Sequence, residues 1–334
     1  MNIYLSNGYL NIEPIAQHPS WLKVLIGGRQ IGKTFNTLHY HLEHNIQHLL
    51  LRRTTEELEL IQSTGLSPYS AFMPEYQTGI FKQGKLLTIR DYDENGPKEQ
   101  RGLVMSLSQI AHIRGFNASF ISSMIFDEFI PEPGVRVLKT EGDALLNAYT
   151  TINGNRELSG DPPLTLWLLA NSNRIDSPIL EALGLTDDII RMRSKHLETF
   201  EREGVLIVQP ESREVMERRK ETALLKTINS GSEFYGMAVD NKFAYDESPL
   251  IKSQNIKYLK PLFGYAPLYA WEGSNNIYFC RMTHKKDIYK GTKWDKERLR
   301  SDYGWIIRAY AEGLVTFADL HLLSVFKALF DIDF

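Results

Sequence analysis

A chain of 334 residues, 43% hydrophobic and 24% charged, carries enough apolar material for one large or two modest globular domains. Its single cysteine, Cys280, excludes a disulfide framework and argues against a cysteine-built metal site, and no stretch approaches the ~18 continuous apolar residues of a membrane helix. The net charge of −3 hides an asymmetry: residues 1–250 hold 25 basic and 32 acidic side chains, whereas residues 251–334 hold 13 and 9.

The start, Met1-Asn2-Ile3-Tyr4, has neither the charged nor the long apolar region of a signal peptide, so a cytosolic protein is expected. Residues 22–26 read as a short buried strand and 34–48 as the helix after it. Between them Gly27-Gly28-Arg29-Gln30-Ile31-Gly32-Lys33-Thr34 fits G-x-x-x-x-G-K-[ST] at every fixed position. Glycines let successive backbone N–H groups turn inward on a phosphate chain, and the helix N-terminus aims at the same anion. Lys33 is expected on the β- and γ-phosphates, and the Thr34 hydroxyl on Mg²⁺, with ATP as the nucleotide. The helix holds His39, His41, His44 and His48, of which the last three share roughly one face; solvated or half-buried histidines are expected there rather than a metal site.

His48–Arg53 predicts a second strand ending in two arginines, Arg52 and Arg53. Thr54 with Glu57 three residues on signals a capping box for a helix to about 64. Short β-like runs at Gly79–Lys82, Leu86–Arg90 and Leu103–Leu107 predict a β-insertion near 79–107, separate from any parallel sheet. Ile121–Phe126 is a strand running into Asp127-Glu128. Asp127 is expected to hold Mg²⁺ opposite Thr34, and Glu128 to activate water for attack on the γ-phosphorus. This pair predicts a hydrolytic P-loop ATPase of the additional-strand, catalytic-glutamate type, not a small-molecule kinase.

After a loop with Pro131 and Pro133, residues 137–152 have helical spacing. Leu164–Ala170 predicts another strand, ending at Asn171, an amide placed to touch the γ-phosphate or the attacking water. Asn173-Arg174-Ile175-Asp176 resembles the guanine-reading stretch of GTPases, but Asp127 is not followed by the glycine those enzymes require. An arginine from a neighbouring subunit would complete such a site. Arg156 is the first candidate, with Arg52, Arg53 and Arg174 as alternatives. Alternating strands and helices opened by a phosphate loop predict an α/β core with a parallel sheet.

The expected domains are a P-loop ATPase domain at 1–200, a linker or helical connection at 201–250, and a smaller α+β domain at 251–334. Residues 211–228 read as a charged helix. Beyond 257, alternating runs predict a small antiparallel sheet, and 295–330 has helical periodicity broken at Gly304 and Gly313. Eight basic residues crowd 281–300, and Lys285, Lys286, Lys290 and Lys293 are candidate contacts to a polyanion.

Gly27–Thr34, Leu51-Arg52-Arg53, Phe126–Ile130, Asn155-Arg156-Glu157, Leu169-Ala170-Asn171 and Gly236–Phe243 together resemble the genome-packaging ATPase of phi-twenty-nine-like small podophages. The resemblance implies a homopentameric ring on the portal of an empty capsid, driving double-stranded DNA inward, with no membrane partner, in the host-cell cytoplasm. The position matching that family's trans-acting arginine is Gly154, two residues before Arg156. Its C-terminal domain resembles a degenerate RNase H-like nuclease. A working nuclease needs clustered carboxylates, for which Glu272, Asp287, Asp295 and Asp302 are the candidates. Two other functions stay open: a terminase-type motor with an active nuclease, and a nucleotide-gated binding module with negligible turnover.

Overall fold

The computed structural model describes residues 1–84, 86–110, 118–130, 137–138, 140–171, 177–195, 197–228, 256–274 and 276–332. The chain divides into two compact units, Met1–Ala244 and Tyr245–Phe334.

The first unit is a nine-stranded sheet with helices. Its elements are α1 (Glu13–Ala16), β1 (Leu22–Ile26), α2 (Lys33–Glu43), β2 (His48–Arg52), α3 (Thr55–Thr64), β3 (Thr78–Gln83), β4 (Leu86–Asp93), β5 (Gly96–Ser106) and α4 (Leu107–Ile110). They continue as β6 (Ser123–Asp127), α5 (Glu141–Asn153), β7 (Thr165–Ala170), α6 (Pro178–Ala182), α7 (Thr186–Ser194), β8 (Thr199–Arg202), β9 (Val205–Val208), α8 (Arg213–Lys220) and α9 (Ala223–Thr227). Strand order is β3-β4-β5-β2-β6-β7-β1-β9-β8. The six central strands from β5 to β9 run parallel, and the edges β3, β4 and β8 pair antiparallel. The central strands β1 and β6 are buried along their whole length, as expected of a sheet covered on both faces.

Three expectations change. The β-insertion is continuous with the parallel sheet: β5 pairs antiparallel with β4 from Gly96 to Val104, and its second half also pairs parallel with β2 in the register His48↔Gly102 to Arg52↔Ser106. Glycine at 102 is obligatory there, because a Cβ would lie 1.9 Å from the His48 carbonyl oxygen. Val205–Val208, in the stretch expected to be a linker, is instead a buried core strand beside β1. The single helix expected over 211–228 is two, α8 and α9, separated at Glu221-Thr222.

Local chemistry explains several boundaries. Thr54 accepts from the Glu57 amide at 3.3 Å and caps α3, a contact of about 1 kcal/mol. His41 and His48 are fully buried, not solvated. Each donates Nδ1–H to a carbonyl (Thr37 at 2.7 Å, Ile46 at 2.9 Å) and accepts at Nε2 from Ser123 Oγ (2.8 Å) or Tyr69 OH (2.7 Å). Neutral imidazoles are thereby satisfied, and burial holds His41 down at about 3 and His48 at about 4.

The second unit holds β10 (Lys260–Tyr265), β11 (Leu268–Glu272), β12 (Ile277–Cys280), β13 (Ile288–Tyr289), α10 (Lys293–Tyr303), α11 (Ile306–Ala311), β14 (Val315–Phe317) and α12 (Leu320–Phe330). β10 to β12 form the expected antiparallel meander. β13 and β14 add parallel strands at its two edges, so Val315–Phe317 is strand where helical periodicity had been expected. Phe263, Phe279, Phe317 and Phe326 form the core of this unit. Among the described residues no helix is long and apolar enough to cross a membrane.

Candidate active site

Because β2, β6, β7 and β1 are neighbours and parallel, their C-terminal ends lie along one edge of the sheet. Asp127 is level with Leu169, and Ile26 with Ala170. In such sheets this edge is the ligand-binding one. It brings together the loop after Ile26, the Asp127-Glu128 pair, Asn171 and Arg52.

The loop is tightly held. The Gly27 amide donates to the Ala170 carbonyl at 3.2 Å, which brings the loop beside Asn171. Gly32 sits at φ +90°, where an added Cβ would also meet the Asn36 amide at 2.7 Å. An added Cβ at Gly27 would lie 3.1 Å from the Pro210 carbonyl. The N-terminal segment braces the outside: Leu10 N donates to Ile31 O (2.9 Å), and Asn36 Nδ2 to Leu10 O (2.6 Å).

Lys33 is buried and donates Nζ to the Gly27 and Gly28 carbonyls at 2.9 and 2.6 Å. Burial, opposed by Asp127 and reinforced by the charge of Arg219, brings its amine down to about 7. The Thr34 hydroxyl donates to Asp127 Oδ1 at 2.8 Å. Loop and acid strand are thus joined through the two groups read as the magnesium pair, and the donor set, a hydroxyl and a carboxylate, suits that hard cation. Burial raises the Asp127 carboxyl, against the pull of Arg52. Glu128, half-exposed, has φ +56°, an uncommon conformation for a non-glycine residue and one found at functional sites.

Arg52 occupies this centre in its own chain. It reaches Asp127 Oδ2 at 2.8 Å, Glu128 Oε2 at 3.3 Å and Glu57 Oε2 at 2.9 Å. Arg53 is buried, paired with Glu141, and donates to the Phe129 carbonyl at 2.6 Å, bracing the turn that carries Glu128. Both arginines serve the centre from within the chain in this arrangement, where the sequence had suggested either one as a neighbour's contribution. Arg156 lies at the opposite edge of the sheet. Its guanidinium donates to the carbonyls of Ser119 (2.6 Å) and Ile121, ahead of the N-terminal end of β6. That is roughly 20 Å from Asp127 at ~3.3 Å per strand residue. Arg174 and the GTPase-like stretch lie outside the described residues, as does Gly236–Phe243.

Sequence reading missed Arg219. This side chain of α8 donates Nη1 to the Arg29 carbonyl at 3.1 Å, on the phosphate loop itself. The only signal was an arginine-rich helix with no reason to fold back onto residue 29.

In the second unit Lys285, Lys286, Lys290 and Lys293 are all exposed, around β13 and the start of α10, beside an exposed Trp294. Three of the four candidate nuclease carboxylates are otherwise engaged. Asp302 accepts from Tyr289 OH and Asp287 from Tyr303 OH, each at 2.7 Å, and Asp295 accepts from Lys290 N at 3.1 Å. Among the described residues no group of three His, Cys, Asp or Glu side chains could hold a metal ion.

The family model of the podovirus DNA encapsidation protein (Gp16) matches residues 6–278. Two solved structures share the fold over nearly the whole chain. The Phi-28 gp11 DNA packaging motor is 17% identical, with a TM-score of 0.62 over 98% of this chain and 100% of that one. The bacteriophage Phi-29 viral genome packaging motor assembly is 20% identical, with a TM-score of 0.65 over 97% of this chain and 98% of that one. No curated protein matches the chain.

Proposed function

The chain belongs to the podovirus DNA encapsidation protein (Gp16) family, and we propose that it drives encapsidation as an ATP-hydrolysing motor that moves double-stranded DNA into a preformed capsid. The observation that carries this reading is the 2.8 Å hydrogen bond from Thr34 to Asp127, which sets the phosphate loop and the acid pair within one centre. In it the backbone of Gly27–Gly32 and Lys33 would grip the triphosphate, and Thr34 and Asp127 would hold magnesium, which would supply charge neutralisation. Glu128, adjacent to Asp127 and half-exposed, takes the proton of the attacking water. Asn171, next to the loop, contacts the γ-phosphate or that water. β7 lies between β1 and β6, which supports the additional-strand, catalytic-glutamate type.

The motor is a ring, pentameric by family resemblance, docked on the capsid portal in the host cytoplasm. Hydrolysis is completed by an arginine of the neighbouring subunit. Arg156, on the edge of the sheet away from its own centre, remains the first candidate, and using it would require release of its two carbonyl partners. The unit after Tyr245 is read as a degenerate RNase H-like domain that binds DNA or portal without cutting; the tyrosine-bound state of Asp287 and Asp302 supports this. Its exposed lysines contact phosphates, as sequence-indifferent packaging requires. Phosphate release measured with and without double-stranded DNA, alongside oligomer size, tests the reading. DNA-stimulated turnover by a ring supports it, and a monomer without turnover sinks it. In mixed rings, Arg156→Ala subunits are expected to regain activity from wild-type neighbours. Undiminished activity of pure Arg156→Ala would move the search to Arg174.

A further inference from the structure

We propose that Arg219 is a nucleotide-binding residue, held over the phosphate loop by α8 so that this helix is pinned to the protein body when a triphosphate is bound. The inference rests on the nucleotide reading above and extends it to a residue outside the loop and the acid strand.

Three observations carry it. Arg219 already touches the loop, at the Arg29 carbonyl, and only one N–H of its five-donor fork is needed for that bond. Its position is built rather than incidental. Ser212 caps α8 by accepting from the Val215 amide at 3.3 Å, and Val215 is buried. Arg218 donates to the Asn7 carbonyl and lies 5.1 Å over the Tyr9 ring, and Gly8, at φ +79°, packs so closely on α8 that a Cβ would lie 3.0 Å from Glu214. The same N-terminal segment is bonded to Ile31 of the loop through Leu10. Finally, Lys33, Arg29 and Arg219 form a cluster of like charge. Burial, with the charge of Arg29 beside it, lowers the Arg219 guanidinium. Cations gathered at a phosphate loop attract a polyanion, and a planar guanidinium fork matches phosphate oxygens.

The test uses the full-length protein, a fluorescent ATP analogue and magnesium. Arg219→Gln is expected to weaken nucleotide binding by about ten- to hundredfold, the worth of a charge-assisted hydrogen bond. Arg213→Gln, exposed on the first turn of the same helix, is expected to change it less than about threefold. Trypsin cleavage within α8, at Arg218 or Lys220, should be slowed by nucleotide in the wild type and not in Arg219→Gln at matched occupancy. Unchanged affinity and unchanged protection in Arg219→Gln, with Lys33→Ala abolishing binding, overturns this inference and leaves the site reading intact. If the wild type binds no nucleotide, both fall. Arg219→Lys guards against misfolding: it keeps the charge and is expected to retain intermediate affinity. Affinity of Arg219→Lys equal to that of the wild type, with a folded Arg219→Gln equal too, also overturns the proposal.

Discussion

Lys33 makes a quantitative prediction about pH. Its amine sits near 7 because it is buried and faces Arg219. A bound triphosphate adds opposite charge at the same atom and restores the protonated form. Binding therefore takes up protons: about 0.1 per nucleotide at pH 6, about 0.5 at pH 7 and about 0.9 at pH 8. The sign follows, since a state that binds more protons loses ground as pH rises. Nucleotide affinity should be flat below pH 6 and fall about tenfold per unit above 7. Titration calorimetry in buffers of different ionisation enthalpy, at pH 6 and pH 8 with magnesium present, reads the uptake directly. Lys33→Arg, charged throughout, should bind with little uptake at either pH. Equal uptake by wild type and Lys33→Arg at pH 8 would refute the reasoning.

Two predictions concern the scaffold. Gly102→Ala forces a Cβ into the His48 carbonyl, so the β5–β2 pairing should be lost at a cost of about 3 kcal/mol or more, seen as a large drop in melting temperature; an unchanged melting temperature would refute that register. His41 and His48 are depressed to about 3 and 4 by burial. Above pH 6.5 both states hold neutral imidazoles and stability is full, while below it only the unfolded chain takes up protons. Their share of stability should fall by about 2.7 kcal/mol per pH unit from 6.5 towards 4, and His48→Gln should remove about half of that slope in urea titrations.

Much of the centre was legible because its parts are local. The phosphate loop depends on eight consecutive residues, the acid pair on one strand end, and the cap of α3 on a spacing of three. What was not legible depends on which strands become neighbours. Arg52 reads as a spare arginine until β2 pairs with β6, whereupon it stands against Asp127 and Glu128. Arg156 was placed on a connection between two site strands, yet that connection crosses the far edge of the sheet. Val205–Val208 is four apolar residues between charged turns, too short to register as a strand without β1 beside it. Arg219 comes to the loop on a helix that packs against Asn7, Gly8 and Tyr9, and no periodicity encodes that.

The most direct measurement of the central claim is ATP affinity and steady-state hydrolysis, with double-stranded DNA, for the wild type and Glu128→Gln. A neutral amide keeps the shape of the side chain and loses the ability to take a proton. Affinity is expected to stay within about threefold while turnover falls by about 10²- to 10⁴-fold. Turnover in Glu128→Gln equal to the wild type would remove Glu128 from the centre and contradict the account.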